Sequence, residues 1–349
     1  MSVPMLNLAN SPVSAQDSTQ KLGFALLGLG SLSTNQIAPG LQTTKLCRLA
    51  GIVTGTPAKE KIWAEKYNIP AKNIYNYENF DKIADNPDID VIYVVTPNAR
   101  HAEFTVRAAQ AGKHVLCEKP MEVSVKKCEE MIAACKKAKC HLAIGYRCQF
   151  TPYHLEMRRL AQDKVFGDLK LIEASFGFRI GDPNQWRLKH ALAGGGALMD
   201  VGIYALQACR FTSGEEPIEV SAIETKTDKV KFKEVDESIL WSMRFPSGVL
   251  ANCGTTYLVN GYNRVMAAAE KGWFGLDPAY SYSGLKGATS KGEMSFPQTD
   301  QFAAEMDDFA NCILTNKPSK VSGEEGLRDI KITMAIYESI RKGKAVHLT

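Results

Sequence analysis

The chain has 349 residues, enough for two ordinary cores rather than one. Hydrophobic residues make up 45% and charged residues 23%, a globular balance that argues against a largely disordered chain. The 42 basic and 38 acidic residues leave a net charge of +4 without long runs, which points to neither nucleic acid nor a membrane surface as a partner.

Residues 1–22, "MSVPMLNLANSPVSAQDSTQKL", read as a polar, flexible N-terminal segment without the basic start and apolar stretch of a signal peptide. A cytoplasmic location follows, with the periplasm as the alternative, because "SPVSAQ" looks like the tail a cleaved signal leaves. No run is read as long enough to span a membrane. From Gly23 to about residue 150 short apolar strands alternate with amphipathic helices: "GFALLG", "RLAGIVT", "NIYN", "DVIYVVT", "HVLCEK" and "HLAIGYR". "PAKEKIWAEKYN", "ARHAEFTVRAAQAG" and "SVKKCEEMIAACKKAK" lie between them, opened by proline or serine and closed by glycine. This α/β rhythm predicts a parallel sheet of the dinucleotide-binding kind over 23–150. Residues 151–349 read as an α+β domain. There "LKLIEASFGF", "IEVSAIET", "ESILWSMRFP" and "GVLANCGTTYLV" suit an antiparallel sheet with one covered face, and helices near 301–316 and 323–342 close the chain. Nine cysteines without a C-x-x-C pair read as reduced core thiols, and no metal site is expected.

Strand one enters "GLGSLSTNQIAPGL". Gly28 permits a tight turn, Gly30 lets a pyrophosphate approach backbone amides, and Ser33 is small enough for the third position of the fingerprint. Strand two ends in "VTGTPAKEK" with no carboxylate where an NAD site would hold its ribose. Thr54, with Lys59 in the next helix, suits a phosphate instead, so NADP is favoured over NAD, although Lys59 alone reads equally well as a solvated helix residue.

Three further groups fall at strand carboxyl ends: "TPN" (96–98), "CEKP" (117–120) and "GYR" (145–147). "HVLCEKP" by itself is an ordinary strand end stopped by proline. A lysine delivered there would lie near a nicotinamide and could donate to a substrate hydroxyl or oxyanion. In "LAGGGALMDVGIYALQACR", Asp200 and Tyr204 stand four apart, about 40° around an α-helix, and so share a face. A lysine, a carboxylate and a tyrosine together make a proton-transfer unit suited to alcohol oxidation.

Taken together, "GLG", "TPNARHAEF", "AGKHVLCEKPM", "IGYRCQF" and "GGGALMDVGIYAL" resemble the Gfo/Idh/MocA oxidoreductases, nearest the branch that couples glucose oxidation to fructose reduction. The resemblance spans nearly the whole chain from Lys21. It implies a Rossmann domain, then an α+β domain with a large, open, mostly antiparallel sheet whose outer face forms a homodimer or homotetramer. It assigns Lys119 and Tyr204 to catalysis, with Asp200 holding the sugar or tuning the pair, and hydride passing between sugar C1 and the nicotinamide. Cofactor contacts are implied at Gly28, Gly30, Ser31, Leu32, Thr54, Lys59, Tyr77, Thr96, Asn98, His101, Glu118, Lys119, Arg147, Trp186, Arg187 and Tyr282. The substrate class implied is a small sugar or polyol, with NADP retained between turnovers. Serine at position 31, where that branch carries lysine, weakens the expectation of retention. The alternatives are a sugar or inositol dehydrogenase, an anhydrosugar reductase with exchangeable cofactor, or an NAD-dependent glycosidase of the same family.

Overall fold

The computed structural model describes residues 21–348. Residues 1–20 of the expected flexible segment lie outside the described residues, and Leu22 already belongs to the first strand. The first sheet comprises β1 (Leu22–Leu27), β2 (Cys47–Val53), β3 (Ile74–Tyr75), β4 (Val91–Val94), β5 (His114–Glu118) and β6 (Leu142–Gly145). All its pairings are parallel, in the order β3-β2-β1-β4-β5-β6. Helices cover both faces, so a central strand must be apolar throughout, and all four residues of β4 are fully buried. The order reverses direction at β1 and β4, which opens a crevice beyond their carboxyl ends.

The helices Pro57–Tyr67, His101–Gln110 and Val125–Ala138 lie where the sequence puts them. Their closing residues differ from the expectation of glycine. Asn68 and Lys139 take the left-handed conformation after the first and third, while Gly112 does so after the second.

The second sheet holds β7 (Leu169–Gly177), β8 (Glu219–Thr225), β9 (Ser238–Arg244), β10 (Leu250–Thr256), β11 (Tyr262–Ala269), β12 (Gly272–Leu276), β13 (Gly287–Thr289), β14 (Gly292–Met294) and β15 (Val346–His347). Its order is β14-β13-β12-β11-β7-β10-β9-β8-β15, antiparallel at every pairing except β7 with β10. Alternation along β9 shows why one face is covered: Ile239, Trp241 and Met243 are buried against the helices Ile203–Ser213 and Gly323–Lys342, while Leu240 faces outward. Ile223 pairs with Leu240 and Leu171 with Leu250, so the outer face carries neighbouring exposed apolar side chains.

His190–Ser213 is long and apolar enough to cross a membrane, with mean hydropathy 1.2, but 78% of that window is buried inside the fold. It is apolar because it packs against β7 and β10 in the core of the second sheet, and it carries Asp200 and Tyr204.

Candidate active site

The glycine turn has the geometry its sequence requires. Gly28 sits at φ +96°, where a Cβ would stand 2.4 Å from the Val95 carbonyl oxygen, and no heavy atom lies within 4 Å of a Cβ placed on Gly30. That open space over Gly30 is the cradle a pyrophosphate needs. Ser33 is buried and its Oγ donates to the Gly28 carbonyl at 2.6 Å, so the third position packs by a hydrogen bond rather than by lacking a side chain. The following helix begins as a π-turn, Ser33–Ile37. Ser31 is exposed, with Oγ accepting from Asn35, and Leu32 is half-buried beside it. Lys59 reaches back from its helix to donate to the Leu29 carbonyl at 2.7 Å, placing an ammonium against the turn. Thr54 is buried and its Oγ1 accepts from the Thr56 amide at 3.2 Å. The Tyr77 ring lies over Gly55, 2.7 Å from where a Cβ would be, and so walls the same end.

At the other end of the crevice, Thr96 leaves a buried Oγ1 without a partner. His101 is fully enclosed: Nε2 lies 3.0 Å from the Thr96 carbonyl and Nδ1 2.9 Å from that of Pro120, tying the ends of β4 and β5 together. Asn98 donates to the Ala193 carbonyl at 2.9 Å and joins the first half of the chain to the second.

Lys119 follows β5, and the Lys119–Pro120 bond is cis. Its Nζ donates to the Asp200 backbone carbonyl at 2.7 Å, lies 3.7 Å from the Asp200 carboxylate, and stands 4.5 Å over the Tyr204 ring. The sequence reading treated Asp200 and Tyr204 as α-helical neighbours. The structure instead places Asp200 in a π-turn, Leu198–Gly202, and Tyr204 in the first turn of the α-helix that begins at Ile203, so only Asp200 reaches the lysine from the wider turn. The preceding glycines make this possible: a Cβ on Gly196 would fall 2.0 Å from the Asp236 carbonyl oxygen. Asp236 also accepts from the amides of Gly196 and Leu198 and from the Tyr337 hydroxyl.

Burial alone would raise the Asp200 pKa, yet the Arg187 and Lys119 cations and the Tyr257 hydroxyl hold the carboxyl below its ordinary range. Arg187 Nε approaches at 2.8 Å and the Tyr257 hydroxyl at 2.9 Å. The Arg187 guanidinium also covers the half-buried Trp186 ring at 4.6 Å. Tyr204 is the opposite case, because burial raises its pKa and outweighs nearby Arg147. Arg147 is buried and fully engaged: Nε donates to the Tyr204 hydroxyl at 3.2 Å, Nη1 to Gln301 and Nη2 to the Tyr280 carbonyl. Tyr282, about half exposed, stacks on Arg147 at 4.6 Å.

Asn98, His101, Glu118 and Arg147 thus lie with Lys119 at the carboxyl ends of β4 to β6. Residues 22–146 match the model of the oxidoreductase family with an NAD-binding Rossmann fold, 154–275 the GFO/IDH/MocA C-terminal domain, and 277–348 the family's C-terminal alpha/beta domain. The chain belongs to the Gfo/Idh/MocA oxidoreductase family. It is 30% identical over 336 residues to a D-xylose 1-dehydrogenase [NADP(+)] of Haloarcula marismortui, covering 93% of this chain and 92% of the relative. The structure of an aldose-aldose oxidoreductase from Caulobacter crescentus, complexed with glycerol, superposes with a TM-score of 0.92 at 46% identity, over 94% of this chain and 100% of that one. A levoglucosan dehydrogenase in complex with NADH shares the fold at TM-score 0.81 and 21% identity, over 95% and 99%.

Sequence reasoning missed several groups of this Gfo/Idh/MocA site. Tyr257 and Gln301 close on Asp200 and Arg147 from distant positions, and Glu305 joins the expected Glu118 as a buried acid pair beside Arg147. The Tyr93 hydroxyl faces Glu118 Oε1 at 2.9 Å and Glu305 Oε2 at 3.3 Å, but it has one proton to give. Burial, then the Glu118 carboxylate, holds Glu305 well above the usual carboxylate range, and burial also raises Glu118 against the pull of Lys119. A carboxyl raised in the folded state binds a proton that the unfolded chain has released. Its stabilisation is complete below the unfolded value of about 4.3 and is lost as pH rises through the folded value. Glu305→Gln keeps a neutral side chain and removes that titration. Urea unfolding should therefore bring the variant's midpoint close to the parent's at about pH 4, where the unfolded carboxyl also holds its proton, and set it higher than the parent's at pH 9; a constant difference across that range would show that Glu305 is not protonated in the fold.

Proposed function

We propose that the protein is an NADP-dependent aldose oxidoreductase, with 23–150 holding the dinucleotide and 151–349 the sugar and a second copy of the chain. The carrying observation is Lys119 at the carboxyl end of β5, with Nζ 3.7 Å from the Asp200 carboxylate and 4.5 Å over the Tyr204 ring. NADP fits the residues present: an open cradle at Gly30, no carboxylate in the segment 54–56 at the end of β2, and the Lys59 ammonium against the turn. The D-xylose 1-dehydrogenase relative is named for NADP(+), in agreement.

When bound, NADP would supply the hydride acceptor and donor for C1 of a sugar. The protein's part is to bind and to move protons. Lys119 has three donor hydrogens, of which Asp200 takes one, leaving the others for a substrate hydroxyl or oxyanion. The raised Tyr204 phenol keeps its proton at neutral pH and donates it to a carbonyl oxygen during reduction. In the reverse half-reaction the hydroxyl proton returns to the Tyr204 phenolate that the reduction leaves, as the aldose becomes its lactone. The name of the Caulobacter crescentus neighbour supports a second sugar as the hydride acceptor, reduced to an alditol in the same site. The exposed Ser31, its Oγ taken by Asn35, puts no cation over the turn and favours the rival reading of a cofactor released each cycle.

One assay decides between them. Dialysed protein given glucose and fructose, with no added cofactor, should form gluconolactone and sorbitol in equal amounts; turnover only on addition of NADP would establish the exchangeable dehydrogenase. Lys119→Ala and Tyr204→Phe should each lower the rate by about 10²- to 10⁴-fold while bound dinucleotide absorbance persists, and near-normal rates in both would end the catalytic assignment.

Lys59→Gln should weaken NADP about tenfold more than NAD in equilibrium titrations. Equal losses would remove Lys59 from the phosphate pocket.

The exposed Ile223 and Leu240 on the outer sheet face support a homodimer or homotetramer through that face. Light scattering should show the double variant Ile223→Glu, Leu240→Glu as a monomer. A parent protein that is already monomeric would dismiss the interface.

A further inference from the structure

We propose that a second subsite, built for a neutral sugar ring, adjoins the catalytic centre and shares Tyr282 and Gln301 with it. A cavity of about 180 Å³ lies between residues 151–153 and the segment 282–301. Its walls include the rings of Tyr153, Tyr282 and Phe296, its mouth carries the exposed Ser283 and Gln298, and the buried Gln301 lies at its floor. No lining residue is charged, in a chain where 23% of residues are. A phosphate, carboxylate or ammonium ligand would meet no counter-charge there. Aromatic faces take the C–H face of a pyranose, and neutral hydroxyl and amide groups exchange hydrogen bonds with its hydroxyls.

The cavity is coupled to the chemistry by direct contacts. Gln301 accepts from Arg147 and donates to the Ser281 and Tyr282 carbonyls, while Arg147 donates to the Tyr204 hydroxyl. Tyr282 therefore has Arg147 on its ring and the cavity at its edge. The inference rests on the sugar reading given above and extends its substrate class. The neutral ring is either the glycosidically linked unit of a disaccharide whose reducing end reaches Lys119, or a separate monosaccharide.

The test uses NADP-loaded protein with glucose and cellobiose, with Phe296→Ala at the wall and Gln298→Leu at the exposed mouth, where packing is undisturbed. For a linked unit, both variants raise the cellobiose KM about tenfold and leave glucose kinetics within about twofold. For a separate monosaccharide, saturation-transfer NMR shows a weaker second glucose population that both variants abolish. The subsite is overturned if glucose and cellobiose parameters move together in the variants, or if neither the cellobiose KM nor any NMR contact responds. A parent protein that binds saccharide in a Phe296-dependent way yet oxidises neither sugar keeps the subsite and removes the oxidoreductase reading.

Discussion

A buried carboxylate has to be paired, and in this fold the pairing of Asp200 determines how the two halves of the chain meet. Its partners come from three separate stretches: Arg187 from the loop after β7, Tyr257 from the end of β10, and Lys119 from the end of β5 in the other sheet. Removing one partner of a buried ion pair leaves charge uncompensated at a cost of about 3–5 kcal/mol, so the set holds together or fails together. Lys119 has a second tie, its hydrogen bond to the Asp200 backbone carbonyl. The lysine is thereby fixed in a π-turn of the second half while its own backbone continues a strand of the first.

Arg147 extends the same constraint toward the C-terminal helices. All three of its nitrogens donate, to Tyr204, to Gln301 at the start of the helix Gln301–Leu314, and to the Tyr280 carbonyl. The same helix brings Glu305 against Tyr93 and Glu118, where one hydroxyl proton cannot satisfy two carboxylates. A proton retained on Glu305 resolves the conflict without importing another cation. The C-terminal helix thus supports the catalytic strand through neutral and charged hydrogen bonds at once.

Much of this was legible in the sequence because it is local. The six parallel strands follow from short apolar runs between amphipathic helices, and Gly28, Gly30 and Ser33 follow from the steric demands of one turn. Lys119 could be placed because a residue at a strand's carboxyl end faces the crevice whatever the distant chain does. Tyr257, Gln301 and Glu305 could not, since each becomes relevant only by a contact with a residue far along the chain. The π-turn at Leu198–Gly202 was hidden for another reason: spacing arguments presume 3.6 residues per turn, and the Asp236 carboxylate that accepts from the Gly196 and Leu198 amides at its start lies far along the chain.

The charges around Lys119 bear on where the proton can rest. Lys119, Arg147 and Arg187 face one ionised Asp200 and a carboxyl pair of which Glu305 stays protonated, so cations outnumber anions by one even with Glu118 fully ionised. Burial nevertheless keeps the proton on Tyr204, which makes the phenol a ready acid but a poor unaided base. On the proposed reading, the cation excess serves the substrate rather than the tyrosine: it lowers the energy of an alkoxide at sugar O1 in a site of low dielectric. The hydroxyl then gives its proton late, as hydride leaves C1, to the Tyr204 phenolate that the preceding reduction left. Reduction of a second sugar runs the same steps backward, with Tyr204 already protonated, so one arrangement of charges serves both directions.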